Sequence, residues 1–236
     1  MGIAYMFLEK FEEALNAFEM VLKINPKDNN IYYNLGLVYI NLEKYEKGIE
    51  YTKKDIELNP LRGESYYNLG LGYINLEKYE KSIEYTKKSI KLGYKNYQAY
   101  LSCASAYYLL KEYSQTIQFL IETLNVNPKQ DAIYTNLFEL QLTQNQAFDQ
   151  ALEANYLELF QNQKESFIKY EMLKIFQAIA RGETVDIEAW KQKYDGVGLD
   201  WGFDELREWI EGFDEGEVKA RLFEALAFFE GRGAVQ

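Results

Sequence analysis

From residue 2 to about residue 128, apolar side chains recur three or four positions apart. They fall in stretches of about a dozen residues, broken by short polar connectors. This is the period of an amphipathic helix, and no sustained two-residue alternation competes with it. In one such stretch Leu35, Val38, Tyr39 and Leu42 define a first helix face, and Ile49, Ile56 and Leu58 a second. Asn59-Pro60 should end the second helix, because proline lacks the amide hydrogen that would continue it. The same reading gives four helices further on. Residues 164–182 place Phe167, Leu173, Phe176 and Ile179 close to one face and stop at Gly182. Asp186 to Tyr194 forms a short helix around Trp190, and FDELREWIEGF (203–213) follows the glycine-rich turn DGVGLDWG. The last helix carries Val218, Leu222, Leu226 and Phe229, and Asp214 with Glu217 is expected to form its capping box. The chain therefore reads as all-α.

The helical pattern repeats. NLGLVYINLEKYEKGIEYTKKDIEL (34–58) and NLGLGYINLEKYEKSIEYTKKSIKL (68–92) differ at four of 25 positions, at an offset of 34. GIAYMFLEKFEEALNAFEMVLKINP (2–26) and ASAYYLLKEYSQTIQFLIETLNVNP (104–128) keep the same register on either side. A small residue stands at Gly2, Gly36, Gly70 and Ala104, and a tyrosine three residues later at Tyr5, Tyr39, Tyr73 and Tyr107. Six residues further comes an aromatic (Phe11, Tyr45, Tyr79, Tyr113), then a second small or short residue (Ala14, Gly48, Ser82, Thr116). Pro26, Pro60 and Pro128 close three of the four units. The small residues let two helices of a hairpin approach, and the aromatics fill the space between hairpins. One hairpin cannot bury its apolar face alone, so stacking must supply the core.

In period and residue types together, residues 1–130 resemble the tetratricopeptide repeat (TPR) family, and the likeness continues more weakly to about 160. The resemblance implies two antiparallel helices per repeat, stacked into a right-handed α-α superhelix, and the four later helices are expected to form a helical C-terminal cap on it. Gly2 occupies what should be the eighth position of a repeat, so the first unit is expected to be truncated. The fifth unit departs from the pattern: Phe138 replaces the small residue, and Phe148 arrives one residue late, as if one residue were inserted in NQAFDQA. The expected organisation is a TPR array over 1–130, a divergent fifth helix pair over 131–163 and an acidic helical module over 164–236.

Charge separates these parts. The net charge is −11, yet residues 1–130 carry 16 basic and 16 acidic side chains, while 131–236 carry 10 and 21. An acidic chain repels phosphate backbones, so nucleic acid is not an expected partner. No run of 18 apolar residues exists, so no membrane span is expected. Histidine is absent, which excludes histidine bases and histidine-containing metal sites. One cysteine excludes an internal disulfide, and Cys103, within a packed helix, reads as a buried structural thiol. Asp195, Asp200 and Asp204 lack the spacing of a calcium loop and read instead as turn and helix-start residues, or as part of an acidic docking face. No cofactor or metal is expected. MGIAYM lacks the sixth-residue Ser or Thr of a myristoylation signal, and no signal peptide is visible, so the default location is cytoplasmic.

The resemblance implies that the first helix of each pair lines a concave groove. Counting from the small residue, the lining comprises Tyr33, Tyr67 and Leu101; Asn34, Asn68, Ser102 and Asn136; Leu37, Leu71 and Ser105; then Asn41, Asn75 and Tyr108. An amide side chain donates and accepts at once, so a row of asparagines suits the backbone of a bound polypeptide. The family's lysine-arginine clamp for carboxylate tails is not expected, since Asn30, Glu64 and Gln98 stand at its lysine positions. The function read from these features is a non-catalytic scaffold holding a peptide or helix of a partner protein. The alternative is self-assembly through the open N-terminal half-repeat or the acidic module.

Overall fold

The computed structural model describes residues 1–26, 28, 30–194 and 202–233. Among these are fourteen helices and no strand: α1 (Gly2–Phe7), α2 (Phe11–Ile24), α3 (Ile31–Asn41), α4 (Tyr45–Leu58), α5 (Gly63–Asn75), α6 (Tyr79–Lys91), α7 (Tyr97–Leu109), α8 (Tyr113–Val126), α9 (Asp131–Thr143), α10 (Gln150–Phe160), α11 (Lys164–Ala180), α12 (Ile187–Lys193), α13 (Asp204–Glu211) and α14 (Glu217–Gly233). The chain divides into two compact units, Met1–Pro128 and Lys129–Gln236.

In the first unit α1/α2, α3/α4, α5/α6 and α7/α8 are hairpins, and each hairpin packs on the next. The small residues act as the pattern requires. A Cβ added at Gly48 would stand 2.7 Å from Ile40 Cγ1 and 3.1 Å from the Gly36 carbonyl oxygen, so the two backbones touch there. The tyrosines form a ladder with the period of the repeat. Tyr39 stacks on Tyr51 at 5.2 Å, Tyr73 on Tyr85 at 5.4 Å, and Tyr107 on Phe119 at 5.5 Å. Such ring pairs add to the area they bury. The Tyr39 hydroxyl also donates to Glu19 Oε1 of the preceding hairpin at 3.0 Å. Tyr32 and Tyr66 donate to the carbonyls of Pro26 and Pro60, each at 3.2 Å, tying each connector to the helix that follows.

Each hairpin bend is built the same way. Glu9, Glu43, Glu77, Lys111 and Asn145 all take positive φ, between 55° and 59°. The following amide donates back across the helix end: Lys44 N to Tyr39 O and Lys78 N to Tyr73 O at 2.9 Å, and Gln146 N to Gln141 O at 2.7 Å. This is the left-handed helix stop in which glycine is usual, because a Cβ is strained there. Glu77→Gly is therefore expected to raise stability by about 1 kcal/mol; an unchanged urea midpoint would show that the bend carries no strain.

The fifth bend, at Asn145, keeps the 34-residue spacing although its helix pair has diverged. The departure comes immediately afterwards. By the register of the repeat the next helix would begin at 147, but α10 begins at Gln150. Asp149 sets that start, its carboxylate accepting from Ala151 N at 2.9 Å and Leu152 N at 3.1 Å. Phe148 is left outside the helix and stacks on Phe138 at 5.0 Å. The bulk at Phe138 is accommodated in an aromatic core with Tyr134, Tyr156 and Tyr170. α11 runs through this second unit against α9, α10 and α14, which is why it is buried on more than the single face expected from Phe167, Leu173, Phe176 and Ile179. α14 starts at Glu217, so Asp214 lies upstream of the cap position and the expected capping box is not formed.

Candidate peptide-binding surface

The first helices of neighbouring repeats, α3 with α5 and α5 with α7, touch directly, which brings equivalent positions side by side. Counted from the small residue, the positions at −6, −3, −2, +1, +4 and +5 of these three helices include one charged residue, Glu64. Asn34, Tyr33, Tyr67, Leu37, Leu71 and Ser102 are half-buried, while Asn41, Asn75 and Tyr108 are exposed. Asn41 and Asn75 each donate to a carbonyl of their own helix, of Leu37 and Leu71, at 2.8 Å. Ser102 does the same to Gln98.

Asn68 differs from its expected place. It is 2% exposed, enclosed beside Tyr33, and its amide nitrogen makes no hydrogen bond of ordinary length. The wet row of asparagines thus reduces in this unit to Asn34 and the two self-bonded amides. The row from one repeat to the next is instead Tyr33 against Asn68 and Tyr67 against Ser102. Asn136 is exposed but belongs to the second unit.

Two residues outside the expected lining complete the surface. Where the other connectors carry proline, the one before α7 carries Gly93-Tyr94. Gly93 takes φ +96°, and Tyr94 turns onto the start of α5, where a Cβ at Gly63 would stand 2.9 Å from Tyr94 Cβ. Its ring lies 5.4 Å from that of Tyr67. The missing proline was the available signal. The second residue is Arg62, whose guanidinium sits 5.4 Å from the Tyr33 ring centroid. Arg62 is held from below: Nη1 donates to Asp55 Oδ1 at 2.8 Å and Nη2 to Asn30 Oδ1 at 3.0 Å. Asp55 is fully buried and also accepts from Asn59 Nδ2 at 2.9 Å and from Ser65 Oγ.

Burial raises the pKa of Tyr33, helped by Tyr94 and Glu64 and opposed by Arg62 and Asn68. Burial likewise raises Tyr67, opposed by Ser102. Both hydroxyls therefore remain proton donors well above neutral pH. Cys103 is buried, and burial pushes its thiol up to about 12, so it stays a neutral thiol.

Among the described residues no three metal-binding side chains come together. Asp195 and Asp200 lie outside the described residues, and Asp204 is exposed in the first turn of α13. No described helix is long and apolar enough to cross a membrane.

A family model described as TPR repeat matches residues 2–42, and one described as tetratricopeptide repeat matches residues 30–60 and 63–93. No curated protein matches the chain in sequence. Among solved structures, a crystal structure of MamA is 22% identical at a TM-score of 0.57, the match covering 72% of this chain and 95% of that one. TTC0263, described as a thermophilic TPR protein in Thermus thermophilus, is 21% identical at a TM-score of 0.52, covering 74% and 95%. A MamA fragment from Desulfovibrio magneticus RS-1 is 16% identical at 0.58, covering 69% and 92%. At these identities the likeness shows the fold, the all-α solenoid of stacked helix pairs.

Proposed function

We propose that this chain, a tetratricopeptide-repeat protein, is a non-catalytic scaffold that holds a segment of a partner protein on the inner face of its first unit. The observation that carries the reading is the in-register wall of α3, α5 and α7. It offers tyrosine rings, leucine side chains and polar amides, with Glu64 as the one charge among its helix positions and Arg62, paired with Asp55, beside Tyr33. Such a wall supplies apolar area and hydrogen bonds to a polypeptide while making no demand on ligand charge. Asn34, Tyr33, Tyr67, Leu37 and Leu71 are the contacts assigned by this reading, with Ser102, Tyr108, Asn41 and Asn75 at its margins. Asn68 serves by supporting Tyr33.

The test is selection of peptides from a random displayed library on the intact chain, followed by calorimetry. Leu37→Asp and Leu71→Asp should each weaken the selected peptides about tenfold or more, with the circular dichroism spectrum unchanged. Asn34→Ala should cost roughly fivefold. Peptides that bind these variants as they bind the parent would discard the surface.

A second reading, self-association, is favoured by α1 and its turn, where Ile3, Phe7 and Leu8 are 57%, 85% and 65% exposed. Light scattering across a concentration range separates the two, since a strict monomer removes self-association.

A further inference from the structure

We infer that the Tyr33–Tyr67–Tyr94 cluster is a docking site for a proline-rich segment in the polyproline II conformation. The inference rests on the groove reading above and narrows its ligand.

The site is built by a break in the repeat. Tyr94 stands where the other three units place proline, and it needs two glycines to be there: Gly93 for the positive φ and Gly63 for room beneath the side chain. Its ring meets that of Tyr67 at 5.4 Å, and Tyr94 is among the groups that oppose ionisation of Tyr33. The Asn68 amide lies beneath, buried, and the Ser102 hydroxyl lies against Tyr67. The cluster thus offers half-buried tyrosine rings and their hydroxyls, with the buried Asn68 amide as support beneath them.

A polyproline II segment has the complementary chemistry. Its pyrrolidine rings stack on aromatic faces, its carbonyls are unpaired acceptors, and proline residues present no N–H that would need a partner. The ordering cost is small because the segment is already extended. Its dimensions also fit. Three residues at about 3.1 Å make a turn of about 9.3 Å, and helices in contact lie about 8–10 Å apart. One ligand turn therefore spans one repeat, so prolines three apart reach Tyr33 beside Arg62 and Tyr67 beside Tyr94. Charge points in the same direction. The Arg62 cation is already paired with Asp55, and Glu64 borders Tyr33, so an acidic tail is repelled and an uncharged segment is not.

The experiment uses the full chain and a fluorescein-labelled decaproline, followed by polarisation. The comparison probes are a helical alanine-rich peptide and an oligo-glutamate of equal length. Decaproline should bind saturably, and the other two should bind about tenfold more weakly or not at all. Tyr94→Ala should weaken decaproline about tenfold. Tyr67→Phe, which keeps the ring, should weaken it roughly threefold. Circular dichroism checks that both variants keep the parent fold. No saturable binding of decaproline up to about 1 mM, or parental affinity in Tyr94→Ala, overturns the inference. Preference for the helical peptide with sensitivity to Leu71→Asp overturns the proline assignment and leaves the groove standing. If no peptide binds, both fall.

Discussion

Replacing Asp55 by alanine is expected to destabilise the first unit by about 3 kcal/mol. Asp55 is fully buried on α4, and its carboxylate is the meeting point of Arg62, Asn59 and Ser65 at the contact between α4 and α5. Alanine would leave the Arg62 guanidinium, itself only 22% exposed, without its counter-charge, and would strand the Ser65 hydroxyl. The next contact along the array shows the way out. There the positions equivalent to Asp55, Arg62 and Ser65 are Ser89, Asn96 and Ala99. The triple variant Asp55→Ser, Arg62→Asn, Ser65→Ala copies that solution and should recover most of the loss. All three tryptophans lie after residue 128, so urea unfolding followed by far-UV circular dichroism reports the first unit in a way that indole fluorescence does not. A parental midpoint for Asp55→Ala would show that the pair contributes nothing to stability.

Gly70→Val is expected to cost about 2–3 kcal/mol. A Cβ at Gly70 would collide with the Thr86 hydroxyl and lie 3.3 Å from both Thr86 Cβ and the Ser82 carbonyl oxygen. That carbonyl has little freedom to retreat, since α6 is packed against both α5 and α7. Helix propensity works in the opposite direction, favouring valine over glycine by only about 0.5 kcal/mol. Adding Thr86→Ala should restore part of the loss by removing the nearest atom. Gly202, outside the helices and with nothing within 4 Å of its added Cβ, is the control, and Gly202→Ala should unfold as the parent does. If both glycine variants behave alike, close helix approach is not what position 70 requires.

The stacked hairpins were legible because their cause is local and repeated. Gly36, Gly70 and Ala104 mark close approaches, and Tyr39, Tyr73 and Tyr107 mark ring stacks, at one spacing. What was not legible depended on contacts between repeats or on departures from the rhythm. Nothing in the sequence around Asn68 says that Tyr33, 35 residues earlier, covers it. Asp55 reads as one more charged helix residue until the Arg62 side chain is seen to reach it. The α10 start moved to Gln150 because Asp149 caps there, a signal present in the sequence but outweighed by the expected register. Asp214 and Glu217 have the spacing of a capping box, whereas the backbone starts α14 at Glu217 itself and leaves Asp214 upstream of the cap position. Tyr94 was hidden by the proline row, in which the informative residue was the one that broke it.

The buried carboxylate on α4 has a consequence for how the chain finds its order. Two modules that match at 21 of 25 positions offer nearly the same shape to any neighbour, so shape alone cannot tell a folding hairpin which slot to occupy. Asp55 can be neutralised only where Arg62 follows it. The second module therefore carries a key that its near-twin lacks, and a chain that seated them in the wrong order would bury an unpaired charge.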